Sequence, residues 1–169
     1  MKKIPILTVI GRSGTGKTTF LEKLIRELSG RGIRLATIKH HSHSGFEIDQ
    51  SGKDSWRHAR AGSRHVIIAA PDKIASYRRL DHELTLDEIA ECIMYVDLIL
   101  VEGYKQAGKT SIEIVRKKMG STKLVGNLQN TLAIATDSPL EVSVPQFGLD
   151  DIPQAADLIE TWMASEAGR

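Results

Sequence analysis

The chain has 169 residues, of which 41% are hydrophobic, and this length suffices for one domain with its own core. Its 23 lysines and arginines nearly balance 21 aspartates and glutamates, so a formal charge of +2 provides no broad basic field for binding a nucleic acid polymer. No run approaches the roughly 18 apolar residues that a membrane span requires. We therefore predict a single domain over 1–169, with neither nucleic acid nor membrane among its partners.

The single cysteine and the N-terminal residues indicate a cytoplasmic protein. Cys92 is the only cysteine, which excludes an intramolecular disulfide and a multi-cysteine metal cage within one chain. Its place in the apolar-periodic run LDEIAECIMY predicts core packing. The apolar run near the N-terminus is too short for a signal peptide and leads into a glycine loop, so we interpret it as a strand.

Strand-like apolar runs alternate with helical patterns along the chain, which is typical of βαβ units and a mostly parallel sheet. The predicted strands are 4–10, 34–40, 64–71, 73–79, 97–103, 110–116 and 131–137. The predicted helices start at Gly16 or Lys17, cover 52–62, run from the capping box of Thr85 and Glu88 to about Tyr95, and cover 150–164. We therefore predict an α/β fold with a mostly parallel central sheet.

The sequence GRSGTGKT fits the phosphate-loop pattern G-x-x-x-x-G-K-[ST]. A buried strand precedes it and an amphipathic helix follows it, which is the context that the motif requires. Backbone N–H groups would face the β-phosphate, Lys17 would reach the β- and γ-phosphates, and the Thr18 hydroxyl would bind Mg²⁺. A plain glycine-rich turn is the alternative. The predicted nucleotide-binding residues of the loop are Gly11, Arg12, Ser13, Gly14, Thr15, Gly16, Lys17, Thr18 and Thr19.

A phosphate loop of this kind also needs a carboxylate at the end of a neighbouring strand to hold the magnesium ion. Glu102 follows the run DLILV and therefore lies at the carboxyl end of its strand, where ligands bind in open α/β sheets. We predict that Glu102 is a metal ligand and, with Lys17, a catalytic residue. Asp97 precedes the same run and is predicted to be a strand-start residue. Asp49 is a third candidate metal ligand, with an exposed loop carboxylate as the alternative.

Asp137 ends the predicted strand 131–137 and is a candidate for recognising the base. A carboxylate there could accept hydrogen bonds from N1–H and the 2-amino group of guanine, which adenine cannot supply. An aspartate after a strand is otherwise most often a turn or helix cap. Since the stronger guanine signature Asn-Lys-x-Asp is absent, the choice between GTP and ATP stays open from the motifs alone.

The segment IKHHSHSGFEID contains three histidines within four residues, His40, His41 and His43. Imidazoles suit Zn²⁺ or Ni²⁺, but a tight site needs three or four ligands. Lys39 and His40 follow the second predicted strand, beside the expected phosphate site, where an anion would favour protonated imidazole. A metal site, an anion site and a solvated loop are the three alternatives, and we take Lys39 and His40 as candidate nucleotide-binding residues.

Three segments together, VIGRSGTGKTTFLEKLI, IKHHSHSGFEIDQSGKDSWRHARAG and DLILVEGYK, resemble the MobB family, molybdopterin-guanine dinucleotide biosynthesis protein B. The resemblance covers Ile4 to about Asp137. It implies a three-layer P-loop NTPase fold similar to dethiobiotin synthetase and the nickel-delivery GTPases. It also implies a homodimer that binds GTP with Mg²⁺, hydrolyses GTP weakly and assists the molybdenum cofactor guanylyltransferase that joins GMP to molybdopterin.

Matched by position, the resemblance makes 11–19 the phosphate loop and Glu102 with Gly103 the acidic strand end. Asp49, Gly52, Lys53 and Asp54 fall in a second family motif. Arg12 departs from the wider class, in which many members carry a lysine that reaches across a dimer; the planar guanidinium would need a different geometry. We therefore expect a GTP-binding adaptor in molybdenum cofactor biosynthesis. A metal-chaperone GTPase and a small-molecule kinase are the alternatives, and direct contact with molybdopterin is left open.

Overall fold

The computed structural model describes residues 3–41, 45–117 and 123–168. Its elements, in chain order, are β1 Ile6–Gly11, α1 Lys17–Gly30, β2 Leu35–Lys39, α2 Asp54–Arg60, β3 His65–Ala69, β4 Ile74–Arg78, α3 Leu86–Ala90, β5 Leu98–Glu102, β6 Ser111–Val115, β7 Thr131–Thr136, β8 Gln146–Gly148 and α4 Ile152–Ala167. The chain divides into two compact units, Met1–His40 with Leu86–Arg169, and His41–Thr85. No helix among the described residues has the length and apolar character needed to cross a membrane.

The first unit is built on a six-stranded sheet in the order β2-β5-β1-β6-β7-β8. All neighbouring strands in this sheet are parallel, with Leu7 opposite Leu100 and Val9 opposite Ile112. Parallel strands covered on both faces read as continuous apolar runs, which is why β1 and β5 are recognisable in the sequence. The predicted α/β fold with a mostly parallel sheet is therefore confirmed.

Helices cover both faces of this sheet and give the unit three layers. On one face, α1 and α4 bury a cluster that includes Leu24, Leu28 and Ile159, each with no exposed surface. On the other face, Leu86 of α3 packs with Ile99 in a smaller cluster. The buried residues of α1 recur at helical spacing, as the sequence pattern predicts; they are Phe20, Leu21, Leu24 and Leu28.

The second unit consists of the short helix α2 and the antiparallel hairpin of β3 and β4. Val66 lies opposite Tyr77 in the hairpin, and its side chain is buried. The Tyr77 hydroxyl lies 3.1 Å from the carbonyl oxygen of Ser55 on α2, so the helix lies against the face that carries Val66 and Tyr77. The sequence predicts all three of these elements within a few residues of their ends.

Helix α3 is shorter than predicted, and the core position predicted for Cys92 is wrong. After Ala90 the backbone bonds tighten from four-residue to three-residue spacing, with the Cys92 N–H 3.1 Å from the Ile89 carbonyl. The chain then passes through Tyr95 in the left-handed region, at φ 63°, to reach β5. Cys92 falls in this turn and is exposed to solvent. The apolar periodicity continues past the helix because Ile93 and Val96 still pack on the smaller cluster.

Strand β8 is not predicted by the sequence. It has only three residues, Gln146 to Gly148, and pairs with β7 at the edge of the sheet. Three residues are too few to show a strand period. The side chain of Gln146 adds two hydrogen bonds to the backbone of Leu140, at 2.8 Å each, which fixes the loop that leads into the strand.

Asp97 has the strand-start position that the sequence predicts, and it forms a two-pronged ion pair with Arg34. Its carboxylate accepts from the Arg34 guanidinium at 2.6 and 2.9 Å and from the Arg34 backbone N–H at 2.9 Å. These hydrogen bonds, the guanidinium ones above all, lower the pKa of Asp97 to about 2. The pair joins the entry to β2 with the entry to β5, at the end of the strands opposite Glu102.

We expect Asp97→Asn to lower the free energy of unfolding by about 1 kcal/mol at pH 7, a reduced value because both partners are partly exposed. The folded-state pKa lies below the ordinary value, so the stabilisation is complete above about pH 4 and disappears as the pH falls towards 2. Urea unfolding of both proteins at pH 7, 4 and 3 measures this. If the difference in free energy of unfolding between the two proteins were as large at pH 3 as at pH 7, the contribution of Asp97 would not depend on its negative charge.

Candidate functional site

The segment between β1 and α1 forms a tight loop in which three glycines, Gly11, Gly14 and Gly16, have positive φ. Gly11 has φ 146°, and a Cβ atom there would lie 2.6 Å from the carbonyl oxygen of Ile114 on β6. Gly16 has φ 90° and is the N-cap of α1. Because α1 begins immediately after Gly16, its first free N–H groups face the interior of the loop, which is the arrangement that binds phosphate.

Hydrogen bonds within the loop converge on the carbonyl oxygen of Arg12. It accepts from the Thr15 hydroxyl at 2.9 Å and from the Lys17 ammonium at 2.7 Å. Thr15 is buried, whereas the remaining loop side chains are exposed or half-buried. These hydrogen bonds stabilise the conformation of the loop, and the Lys17 ammonium is held by a single hydrogen bond to the backbone.

Glu102, at the carboxyl end of β5, meets Thr18 from the first turn of α1. The Thr18 hydroxyl lies 3.0 Å from Oε1 and 3.2 Å from Oε2 of Glu102. Lys39, at the end of the neighbouring strand β2, has its ammonium nitrogen 3.7 Å from Oε2. A hydroxyl and a carboxylate this close offer hard oxygen ligands to one Mg²⁺ ion, so the residues present fit the metal that a phosphate loop uses.

Burial lowers the pKa of Lys17, against the raising effect of the Glu102 carboxylate. The charges of Lys39 and Lys105 lower it further. Lys17 is therefore close to two other ammonium groups and one carboxylate, and these four groups together have an excess of positive charge. This excess favours a polyanion at the entrance of the loop.

His40 lies beside this cluster, with its ring turned to Tyr104. The two ring centres are 4.3 Å apart, and the His40 backbone N–H donates to the Glu102 carbonyl at 3.0 Å. A Cβ atom on Gly103 would lie 3.1 Å from the His40 Cβ, so the strand end passes close against the imidazole. The candidate residues Lys39 and His40 therefore both lie at the strand end that carries Glu102. Of the other two histidines of the segment, His41 belongs to the second unit, where its ring centre lies 5.8 Å from that of Phe46. His43 lies outside the described residues.

Asp137 follows β7 at the same, carboxyl edge of the sheet. Its Oδ1 accepts from the Lys117 backbone N–H at 2.8 Å. An open cavity of about 460 Å³ adjoins it, lined on its other sides by Pro139 and by the turn from Phe147 to Asp151 after β8. A larger cavity of about 780 Å³, lined by Thr110 and others, lies at the amino ends of the strands, away from the phosphate loop.

Asp49, the third candidate metal ligand, belongs to the second unit. Its carboxylate accepts from the Tyr77 hydroxyl at 2.9 Å and from the Gln50 backbone N–H at 2.8 Å. A hydrogen bond from Ser55, followed by that from Tyr77, lowers the pKa of Asp49. No group of three or more His, Cys, Asp or Glu side chains suited to a metal ion occurs within 3–41, 45–117 and 123–168.

Comparison with known proteins gives the family. A family model described as MobB, molybdopterin guanine dinucleotide synthesis protein B, matches residues 6–137. This chain belongs to the MobB family. The match includes the phosphate loop, Glu102 and Asp137, so the sequence-based assignment to this family is confirmed.

Relatives of the same name extend the similarity over nearly the whole chain. A molybdopterin-guanine dinucleotide biosynthesis adapter protein from Haemophilus influenzae is 43% identical over 95% of this chain and 90% of its own length. The Escherichia coli protein of that name is 36% identical over 98% of this chain and 97% of its own. Two crystal structures agree in fold: a molybdopterin-guanine biosynthesis protein B, at 30% identity and a TM-score of 0.74 over 94% of this chain and 99% of its own, and the Bacillus subtilis MobB, at 30% identity and a TM-score of 0.73 over 94% and 97%.

These comparisons favour the MobB adaptor over the two alternatives, a metal-chaperone GTPase and a small-molecule kinase. The family model and both relatives carry names from molybdopterin guanine dinucleotide synthesis. The three-layer, mostly parallel fold agrees with the MobB crystal structures as well. The family's P-loop fold indicates nucleotide binding.

Arg116 contacts the phosphate loop of this MobB chain, and the sequence analysis does not identify it. It follows β6, and its Nε–H donates to the Thr15 carbonyl at 2.8 Å. Its Nη2 lies 3.2 Å from the place where a Cβ atom of Gly16 would be. The guanidinium thus braces the phosphate loop on the side away from Glu102. The rule that places Glu102 at the site, a charged residue at the carboxyl end of a strand next to β1, applies equally to Arg116.

Proposed function

We propose that this chain binds GTP together with Mg²⁺ in the loop 11–19. The observation that carries the proposal is the convergence of the Thr18 hydroxyl on the Glu102 carboxylate, at 3.0 and 3.2 Å, directly beside the loop. The N–H groups at the start of α1 would hold the β-phosphate, and Lys17 would exchange its bond to the Arg12 carbonyl for phosphate oxygens. Bound Mg²⁺ supplies the remaining neutralisation of the polyphosphate charge.

Hydrolysis by this site is proposed to be slow. Phosphoryl transfer depends chiefly on positioning and on neutralising charge, and Lys17 and the loop amides provide both. The Glu102 carboxylate accepts a hydrogen bond from the Thr18 hydroxyl and forms an ion pair with Lys39. It is therefore poorly placed to take a proton from an attacking water. We therefore propose a weak GTPase in which Lys17 and Glu102 position and neutralise, and nucleotide binding is the main activity.

Asp137 is proposed to select guanine. One of its carboxylate oxygens is held by the Lys117 N–H, and this bond orients the other beside the 460 Å³ cavity. A carboxylate can accept simultaneously from the N1–H and 2-amino groups of guanine, whereas adenine presents no such pair of donors. The cavity lies at the carboxyl edge of the sheet, the edge at which the phosphate loop also lies.

Replacement of Glu102 by glutamine tests the magnesium assignment. We expect Glu102→Gln to weaken GTP binding by roughly tenfold in the presence of Mg²⁺ and to have little effect in EDTA, because the neutral amide is a poor ligand for a hard cation. Titration with a fluorescent GTP analogue, with and without Mg²⁺, measures both affinities. Asp97→Asn, at the other end of the same strand, is the matched control and should bind as the unaltered chain does. An unchanged magnesium dependence in Glu102→Gln would refute the assignment.

In the cell, we propose that this chain is a cytoplasmic adaptor for the guanylyltransferase that joins GMP to molybdopterin. Family membership supports this role, because the relatives are named as adapters of molybdopterin guanine dinucleotide synthesis. The test is reconstitution of purified guanylyltransferase, molybdopterin and limiting GTP, with and without this chain. We expect a higher dinucleotide yield with the chain present and no increase with Lys17→Ala. A yield that does not change at any GTP concentration would rule the role out.

We further propose a homodimer formed through the hairpin of the second unit. The face of the hairpin opposite α2 carries Ile67 and Ile74, which are 57% and 72% exposed, and a self-complementary pairing would cover both. We expect Ile74→Asp to convert a dimer into a monomer, because it places a charge on this apolar face. Light scattering after size-exclusion chromatography measures the mass, and Leu128→Asp, which changes an exposed apolar residue of the first unit, is the control. A dimer that survives Ile74→Asp contradicts this interface.

A further inference from the structure

Arg116 lies between the phosphate loop and Asp137 along the carboxyl edge of the sheet. Strand β6 pairs on one side with β1, which leads into the loop. On its other side its last residue, Val115, is opposite Thr136, the last residue of β7. The next residues are Arg116 and Asp137, and neighbouring strands are about 4.8 Å apart. A nucleotide whose phosphates lie in the loop and whose base reaches Asp137 must therefore pass Arg116.

The guanidinium of Arg116 is turned to the loop by one edge. Its Nε–H donates to the Thr15 carbonyl at 2.8 Å. Its Nη2, Nε and Cζ lie 3.2, 3.6 and 3.7 Å from the place where a Cβ atom of Gly16 would be. Cζ is the farthest of the three atoms, as it is when the edge formed by Nε and Nη2 points at Gly16. The hydrogen bond thus fixes the plane of the group, and both faces of that plane lie outside the contact with the loop.

The charge of Arg116 is not neutralised by an ion pair within 3–41, 45–117 and 123–168, and its side chain is half-buried. Asp150, in the turn before α4, pairs instead with the Lys23 ammonium at 2.6 Å. The hydrogen bond from Lys23 is the main cause of the lowered pKa of Asp150, to which the charge of Arg116 adds a smaller effect. The guanidinium therefore keeps its planar faces and further donors for a ligand.

A guanidinium held in a fixed plane is suited to one part of a nucleotide, the base. Guanidinium groups are weakly hydrated and stack on aromatic faces, and nucleic acid bases stack on them in the same way. A lysine ammonium at this position has the same charge but no plane. Since Gly16 has no side chain, the guanidinium can approach the loop closely, and its plane then lies beside the first turn of α1.

We propose that the purine ring of the bound nucleotide stacks on the guanidinium of Arg116, with its hydrogen-bonding edge at Asp137. The inference rests on the proposed function, because it places the base of the nucleotide whose phosphates lie in the loop. Stacking does not distinguish the exocyclic groups of purines. Arg116 thus sets the affinity for the purine ring, and Asp137, which the Lys117 N–H holds at 2.8 Å, sets the choice between guanine and adenine.

The experiment compares GTP, ATP and inorganic tripolyphosphate, which has the phosphates and no base, in the full chain and in Arg116→Lys. Isothermal titration calorimetry in Mg²⁺ buffer gives the affinities. We expect Arg116→Lys to weaken GTP and ATP by the same factor, about tenfold, and to leave the affinity for tripolyphosphate unchanged. Arg34→Lys, at the opposite end of the strands and paired with Asp97, is the matched control and should alter none of them.

A direct measurement accompanies the titrations. In the full chain with arginine labelled by ¹³C and with GTP bound, we expect a nuclear Overhauser effect between the side-chain δ-protons of one arginine and H8 of the purine. This signal should be lost in Arg116→Lys and kept in Arg34→Lys. A bound purine that shows no such signal, or a signal that survives in Arg116→Lys, overturns the inference.

The titrations distinguish stacking from two other roles of Arg116. If the side chain only braced the loop, Arg116→Lys would weaken GTP and tripolyphosphate by the same factor. If it acted only through its charge, the lysine would leave both affinities unchanged. Either result overturns the inference alone, provided that Lys17→Ala has lost GTP binding. Normal binding of GTP and tripolyphosphate by Lys17→Ala would overturn the proposed function and this inference together.

Discussion

Lys17→Ala is expected to weaken GTP binding by about 100-fold or more. The ammonium group is held at the loop entrance by the Arg12 carbonyl, 2.7 Å away, and within a cluster of positive charge that has Glu102 as its carboxylate. Charge-assisted hydrogen bonds to two phosphates contribute about 3 kcal/mol together, which corresponds to about two orders of magnitude in affinity. Titration of both proteins with a fluorescent GTP analogue in Mg²⁺ buffer measures the change.

Lys109→Ala is the matched control for this variant. Lys109 pairs with Asp87 at 2.7 Å, at the amino end of β6, and its removal should leave GTP affinity unaltered. Repeating the titrations with ATP tests the role proposed for Asp137, because a guanine-selective site should hold ATP more weakly than GTP. Normal GTP binding by Lys17→Ala would disprove the nucleotide site itself.

Gly11→Ala is expected to lower the free energy of unfolding by about 3 kcal/mol or more, near the upper end for a single substitution. An alanine would have to adopt φ 146°, which L-residues strongly avoid, and its Cβ would lie 2.6 Å from the Ile114 carbonyl oxygen. That oxygen belongs to the backbone of β6 in the middle of the sheet, so it cannot move aside as a side chain would. Chemical denaturation gives the stability, and the same protein should have lost GTP binding.

The control for this variant is Gly108→Ala. Gly108 also has a positive φ, 66°, but no atom lies within 4 Å of the place where its Cβ would be. Only the cost of the left-handed backbone remains there, about 1 kcal/mol. If the two variants lost equal stability, the close contact with β6 would not be the cause of the effect at Gly11.

The sequence predicts the sheet well where burial is continuous and poorly where an element depends on its neighbours. Strands β1 and β5 are buried on both faces, so their apolar runs identify them without any knowledge of the fold. The three residues of β8 become a strand only because β7 is there to pair with them. Helix α3 ends at Ala90 although the apolar pattern continues. The pattern continues because Ile93 and Val96, which follow the helix, still pack on the smaller cluster.

The same division holds at the candidate site. The phosphate loop is contiguous, so its spacing alone locates Gly11 to Thr19, and the strand-end rule adds Glu102. Arg116 contacts the loop across 101 positions of sequence, through the pairing of β1 with β6, which no local pattern encodes. The division of the chain into two units is equally invisible in the composition. It assigns Asp49 to the second unit and the loop residues to the first.

The exposed Cys92 has a practical consequence. It is the only thiol in the chain, it faces solvent, and it lies in the turn after α3, apart from the phosphate loop. A maleimide dye would therefore attach at one defined position per chain, with no need to remove other cysteines first. Chains labelled with donor and acceptor dyes could then be mixed at nanomolar concentration, where energy transfer would report how fast protomers exchange and whether nucleotide slows that exchange.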